Sequence, residues 1–322
     1  TSPKPTGLIE RVVRVGNGTL ILDFFAGSGT TGHAVITLNR NDGVVRKFIL
    51  VECGEHFDGV LAPRLKKVTF TPEWKDGKPK RLATHEEAAR SPRIMKIVRL
   101  ESYEDTLNNL DIRRSDTQKS LLDEPAAKGD GKLREHYLLK YMLDVETRGS
   151  QSLLNVAAFR DPTAYRLSVK RPGSDESREV CVDLLETFNW LIGLTVEAIA
   201  APQVFSASFE RDAENRLQLQ GGRIKADPSG PFWFRRVEGK LPDGRKALVV
   251  WRKLGDDLEQ ANLVLDFFLT DKLKISTKDF EFDVIYVNGS NNLENLKAPD
   301  DTWKVRLLEE EFHRLMFATE DV

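Results

Sequence analysis

The segment LILDFFAGSGTTGHAV, residues 20–35, constrains this chain more than any other stretch. An apolar run carrying an acid ends in the small residues AGSG, and TTGHAVITLNR then repeats its apolar positions at helical spacing. The order is strand, glycine turn, helix. A second apolar run, KFILVE at residues 47–52, follows at the distance a crossover requires, so residues 20–52 are predicted to form a β-α-β unit in a parallel sheet. The next helix is predicted in FDGVLAPRLKKV, with Pro63 in its first turn or at a break.

Gly27, Gly29 and Gly32 stand as G-x-G-x-x-G, the fingerprint of dinucleotide sites, and a nicotinamide or flavin enzyme is one reading of it. Asp23 argues for a different ligand, because a carboxylate at the strand end lies beside the phosphates of a dinucleotide and repels them. The ligand should carry a cation there. S-adenosylmethionine meets that demand, with an α-ammonium for Asp23, an α-carboxylate for the helix N-terminus and the hydroxyls of Thr30 and Thr31, and ribose hydroxyls for an acid ending the next strand. Glu52 is that acid. His33 and Cys53, close by, read as packing.

Length and composition bound the rest. With 322 residues the chain has room for about two domains. A net charge of -2 excludes a protein that coats nucleic acid by bulk charge, although it leaves room for a local basic patch. No apolar run approaches the ~18 residues a membrane helix needs and no charged-then-apolar leader opens the chain, so a cytoplasmic protein without a membrane partner is expected. Cys53 and Cys181 are isolated from each other and from any histidine cluster, which predicts no disulfide framework, no metal site and two small buried residues. Thr1 in place of Met leads us to expect a piece of a longer polypeptide.

Between residues 61 and 100, eleven positive residues stand against four acids. TPEWKDGKPKRLA, with its glycine and two prolines, is predicted to be a loop, and the strip is either a solvated linker or a phosphate-contacting surface. Arg64, Lys66, Lys67, Lys75, Lys78, Lys80 and Arg81 are the candidate nucleic-acid contacts. Residues 101–130 turn acidic and end in a second linker, DEPAAKGDGK. The expected organisation is a cofactor-binding part at residues 1–75, a connecting region at 76–132 and a mixed α/β domain at 133–322. That last domain is predicted to hold a helical run from residue 133, a strand in YRLSVKRP, a helix in VDLLETFNWLIGL, a hairpin in FWFRRVEGKLPDGRKALVVWRKL and a closing strand-helix-strand unit. Trp190, Trp233, Trp251 and Trp303 are expected to pack in its core.

LDFFAGSGTTGHAV resembles the S-adenosylmethionine motif of amino-group DNA methyltransferases, and SPKPTGLIERVV is similar to the motif those enzymes place beside it, with Lys4, Pro5 and Leu8 in matching positions. FILVECGEHFDGVLAPRLKKV, WKDGKP, RLESYEDTLNNL, YLLKYMLDVETRGSQSLLN, VDLLETFNWLIGL and VIYVNGSNNLENLK extend the likeness. Together they resemble the C-terminal half of the methylation (Mod) subunit of type III restriction-modification systems, which are adenine-N6 DNA methyltransferases. The resemblance implies a Rossmann-like methyltransferase half-fold followed by the second α/β domain, with S-adenosylmethionine as cofactor. Its contacts would come from Lys4, Pro5, Asp23, Phe24, Ala26, Gly27, Ser28, Gly29, Thr30, Thr31, Glu52 and Cys53. It further implies double-stranded DNA, a restriction (Res) subunit, a second Mod copy and the missing N-terminal half of the same polypeptide as partners.

Such enzymes carry a [DNS]-P-P-[YFW] motif that holds the flipped target base. None of the fourteen prolines here is followed by another, and the nearest approach, Asp161-Pro162-Thr163-Ala164-Tyr165, lacks the second proline. No catalytic residue is therefore expected within this chain, which alone should be inactive. Two other classes stay open, a non-catalytic scaffold for Mod dimerisation or the restriction subunit, and an NAD-dependent oxidoreductase.

Overall fold

The structure, a computed structural model, describes residues 4–76, 78–92, 94–111, 150–170, 176–279, 281–297 and 302–316. It divides into two compact units, Thr1–Leu100 and Glu101–Lys170 with Glu176–Val322, so the division falls inside the segment read as connecting region. The helical run from residue 133 and the linker at 123–132 lie outside the described residues.

The first unit builds the predicted crossover. Helix α1 (Thr6–Gly16) leads into strand β1 (Leu20–Asp23), helix α2 (Thr30–Asp42) and strand β2 (Lys47–Leu50), and β1 and β2 pair in parallel. Side chains alternate across the strands. Ile21 and Phe48, cross-strand partners, pack with Val13, Val35 and Leu38, whereas Leu22 and Ile49, also partners, are 49% and 50% exposed. One sheet face is therefore covered by α1 and α2, and the other stands bare. Beyond β2 a π-helical turn (Phe57–Leu61) runs into helix α3 (Ala62–Phe70), with Pro63, which has no N–H to donate to the preceding turn, at the junction.

The segment read as a loop after α3 is partly regular. Trp74–Lys75 (β3) and Lys78–Pro79 (β4) form a small antiparallel pair. Asp76 takes a positive φ of 50°, which the Asp-Gly pair supplies for tight hairpins. Helix α4 (His85–Ala89) follows behind a Thr84/Glu87 capping box.

The second unit is centred on a mixed seven-stranded sheet. Ahead of it lie helix α5 (Tyr103–Asn108) and the pair β5 (Arg166–Lys170) and β6 (Ser177–Cys181), then helix α6 (Leu184–Leu191). The sheet takes β7 (Thr195–Ile199), β8 (Gln203–Ser206), β11 (Lys225–Ala226), β12 (Phe232–Lys240), β13 (Lys246–Arg252), β14 (Val284–Val287) and β15 (Val305–Leu307), while β9 (Phe209–Arg211) and β10 (Leu217–Leu219) pair apart. As predicted, β12 and β13 form the hairpin, and β13, helix α7 (Leu258–Phe267) and β14 form a parallel crossover, which β15 extends.

Both faces of this sheet are covered. Ala247, Val249, Trp251, Val284 and Tyr286 turn to one cluster with Phe188 of α6 and Phe312 of helix α8 (Leu308–Met316), while Leu248, Val250, Ile285 and Val287 turn to the other with Val264 and Leu265 of α7. Near-continuous apolar strands are what a doubly covered parallel sheet requires. Arg252, at the end of β13, is wholly buried and donates to the carbonyls of Ala261, Asn288 and Ser290 and to Asn262 Oδ1.

Two side-chain expectations change. Cys53 and Cys181 are exposed, because each flanks a strand end and not a core position. Trp251 is buried and Trp233 packs on the same cluster, but Trp190 and Trp303 are 69% and 52% exposed. Tyr165 of the Asp161–Tyr165 look-alike is buried, its hydroxyl donating to the Gln151 carbonyl, and so presents no ring to a base. Among the described residues no helix is long and apolar enough to cross a membrane, and no cluster of three or more His, Cys, Asp or Glu side chains is arranged to hold a metal.

Candidate ligand site at the glycine turn

The site is built where β1 ends. Residues 24–29 leave the strand, Ala26 N–H donates to the Val51 carbonyl and Val51 N–H to the Asp23 carbonyl, which ties the turn to the end of β2. Gly29 caps α2 with φ of 77°, and a side chain there would be strained as well as 3.1 Å from Leu61 Cγ. Gly32 serves packing. A Cβ on it would lie 2.8 Å from Leu65 Cδ2 and 2.9 Å from Leu50 Cδ1, so its absence lets α3 and β2 close on α2.

Two carboxylates organise this turn. Asp23 accepts from Phe25 N–H at 3.1 Å and from the Thr31 hydroxyl at 2.5 Å. Glu52 accepts from Gly27 N–H and Gly54 N–H, both at 2.7 Å, and His56 Nε2 stands 3.5 Å from it. Those backbone donors hold the Glu52 carboxyl below its ordinary range, so it is charged at neutral pH. A carboxylate offers about four acceptor sites, which leaves both acids capacity for donors from a ligand.

Beside the acids, Phe24 and Phe25 are 64% and 87% exposed, unusual for adjacent aromatics at a strand end. Ala26, Thr30 and Thr31 are buried. Of the candidate contacts, the structure brings Asp23, Gly27, Ser28, Gly29, Thr30, Thr31 and Glu52 together, with Phe24 and Cys53 exposed next to them. Both threonine hydroxyls are engaged inside the turn, Thr31 on Asp23 and Thr30 with Ser28 and an arginine of α3. Lys4 and Pro5 are exposed ahead of α1, where Pro5 is the N-cap.

That arginine is Arg64. Its Nη1 donates to Ser28 Oγ at 2.9 Å, Thr30 Oγ1 at 3.0 Å and the Ser28 carbonyl at 3.3 Å, and its Nε donates to His33 Nδ1 at 3.2 Å. Burial, with the charges of Arg64 and Arg40, lowers the His33 pKa to about 4, so the imidazole is a neutral acceptor. The remaining basic candidates separate. Arg81 is held by Glu73 and Glu87, while Lys66, Lys67, Lys75, Lys78 and Lys80 are exposed, with Lys67 Nζ 5.6 Å from the centre of the Trp74 ring. Gly54 and His56 were not evident from the motif, although the four-residue spacing of Glu52 and His56 is a signal that allows the pair.

The DNA methylase family (N6_N4_Mtase) matches residues 1–58, the segment that holds α1, β1, the glycine turn, α2, β2 and Glu52. The type III restriction-modification enzyme StyLTI Mod subunit of Salmonella typhimurium is 51% identical over 51 residues, which is 15% of this chain. The chain is Mod-like over a short local match. The EcoPI Mod subunit of Escherichia phage P1 is 49% identical to this chain over 55 residues, 16% of the chain, and the type II methyltransferase M.KpnI of Klebsiella pneumoniae is 70% identical over 33 residues, 10% of the chain. Each match spans 8% of the relative's own length, so these likenesses are short and local. No solved structure matches the chain.

Proposed function

We propose that this chain is the cofactor-binding and C-terminal part of an adenine-N6 DNA methyltransferase of the type III Mod kind. The carrying observation is the pair of carboxylates, Asp23 and Glu52, hydrogen-bonded to the two limbs of one glycine turn within the segment that matches the DNA methylase family. Such a pair suits an adenosyl ligand with a cation near Asp23 and hydroxyls near Glu52, and disfavours the phosphates of a dinucleotide. S-adenosylmethionine would supply the methyl group; the residues of this chain bind and orient it, with Phe24 and Phe25 offering apolar cover.

The half-bare sheet supports the same reading. Parallel strands occur with both faces covered, so the Leu22/Ile49 face calls for further polypeptide, which we assign to the N-terminal half that would also bring the [DNS]-P-P-[YFW] motif. In this reading the sheet completes a Rossmann-like methyltransferase domain, and the chain alone is inactive. Double-stranded DNA is the substrate, a second Mod copy and a Res subunit are partners, and the bacterial cytoplasm is the setting. The exposed lysines of α3 and the small hairpin, Lys66, Lys67, Lys75, Lys78 and Lys80, are the phosphate contacts. Nonspecific DNA binding through them falls steeply with salt.

The test is calorimetric titration of the chain with S-adenosylmethionine, S-adenosylhomocysteine and NAD, with Asp23→Ala as control. Adenosyl-ligand binding that Asp23→Ala weakens supports the assignment. NAD binding alone would establish the oxidoreductase reading in its place, and silence toward all three would favour a scaffold.

A further inference from the structure

Arg64 occupies a place that neither charge pairing nor helix stability explains. Its guanidinium lies against the first turn of α2, the positive end of that helix, where a cation is disfavoured. Its partners are all neutral acceptors, the Ser28 carbonyl and hydroxyl, the Thr30 hydroxyl and His33 Nδ1. Burial pushes its pKa down, as expected for a cation that has lost water without gaining a carboxylate.

The geometry accounts for the position. Ser28 and Thr30 flank Gly29, the left-handed N-cap of α2, and α2 has no side-chain cap of its own and no acid in its first turn. Nη1 alone reaches the residues on both sides of that glycine while Nε of the same planar fork reaches His33, a pair of separated, fixed donors that a lysine's single ammonium does not offer. Leu61, Arg64, Leu65 and Val68 share one face of the π-turn and α3, by their spacing. Leu61 and Leu65 fill the space that Gly29 and Gly32 leave, which fixes the helix that carries the guanidinium.

We propose that Arg64 is a positioning residue of the ligand site, cross-linking the two sides of Gly29 so that the turn is held in its ligand-ready shape before any ligand arrives. The assignment of an adenosyl ligand rests on the function proposed above; the rigidity of the turn does not. Arg64 thereby leaves the set of candidate DNA contacts, since its donors face the turn.

The experiment compares the whole chain with its Arg64→Gln and Arg64→Lys variants by amide hydrogen exchange, by NMR titration of His33 and by S-adenosylmethionine calorimetry. In Arg64→Gln, exchange at Ser28, Gly29, Thr30 and Thr31 accelerates about tenfold, the effect of losing one net hydrogen bond, while the β1–β2 amides keep their protection. His33 titrates at higher pH, and S-adenosylmethionine binds about tenfold more weakly. Arg64→Lys keeps the charge and recovers less than half of each effect. Unchanged exchange in the turn, equal acceleration in turn and strands, or full rescue by lysine would overturn the proposal. If the wild-type chain binds no adenosyl ligand, the function fails, and the exchange and titration arms still decide the role of Arg64.

Discussion

The two units solve the same problem, a sheet with parallel strands, to different degrees. In the second, β13 and β14 are buried on both faces, with Phe188 and Phe312 on one side and α7 on the other. In the first, the same kind of pairing has one covered face and one carrying exposed Leu22 and Ile49, and Asp23, Glu52 and Arg64 are all hydrogen-bonded to one turn beside it. Where both sheet faces are covered, the parallel strands sit in apolar surroundings. Where one face is bare, the strand ends instead carry a turn in which polar side chains gather.

The comparison is broken most severely through the second core. Phe188 touches the rings of Trp251, Tyr286 and Phe312, with centroids 5.3–6.3 Å away, and Phe188→Ala is expected to cost about 3–5 kcal/mol, read as an early urea transition by tryptophan fluorescence. In the first unit, Gly32→Val drives a branched side chain into Leu65 and Leu50 and should cost about 1–3 kcal/mol while leaving the second unit's transition in place. Asp23→Ala is expected to weaken S-adenosylmethionine binding by about 1–3 kcal/mol in calorimetry, the scale of a lost charge-assisted hydrogen bond.

A smaller effect separates the units by pH. His33 is held at about 4 against an ordinary 6.5, so between these values the unfolded chain binds the proton and the native unit does not. Stability of the first unit therefore declines as pH falls from 6.5 toward 4, and levels off below. Urea midpoints at pH 7 and pH 5 measure it, and His33→Gln removes this contribution. The smallest effect comes from the bare face, where Leu22→Gln should change stability by less than about 0.5 kcal/mol, while Leu248→Gln in the doubly covered sheet should cost more than about 3 kcal/mol. Equal costs would show that the Leu22 face is not bare.

What the sequence made legible follows from how local each signal is. The crossover of residues 20–52, the Pro63 junction, the β12–β13 hairpin and the β13-α7-β14 unit all carry their pattern within one stretch of chain. Strands β7 to β11 were not legible, because they are two to five residues long and, β9 with β10 apart, pair non-locally, with β7 and β8 both laid along β12. The β3–β4 hairpin was hidden by Gly77 and Pro79, which read as breakers even though the Asp-Gly pair favours the turn. At the turn, Asp23 ends β1, Glu52 follows β2 by two residues and the glycines lie between β1 and α2 or in its first turn, so all were legible from the strand-turn-helix-strand pattern. Arg64 was not, because its partners are neutral and 31–36 residues away, and a count of charges places it with the solvated lysines.

The central claim is that the glycine turn receives an adenosyl ligand through Asp23 and Glu52. Amide NMR of the isotopically labelled chain, titrated with S-adenosylmethionine, tests it most directly. The account predicts shifts at Gly27, Ser28, Gly29 and Gly54 that are absent in Asp23→Ala, with the β13 and β14 amides unmoved. Shifts confined to the second unit, or a turn that responds to NAD and stays silent toward S-adenosylmethionine, would contradict it.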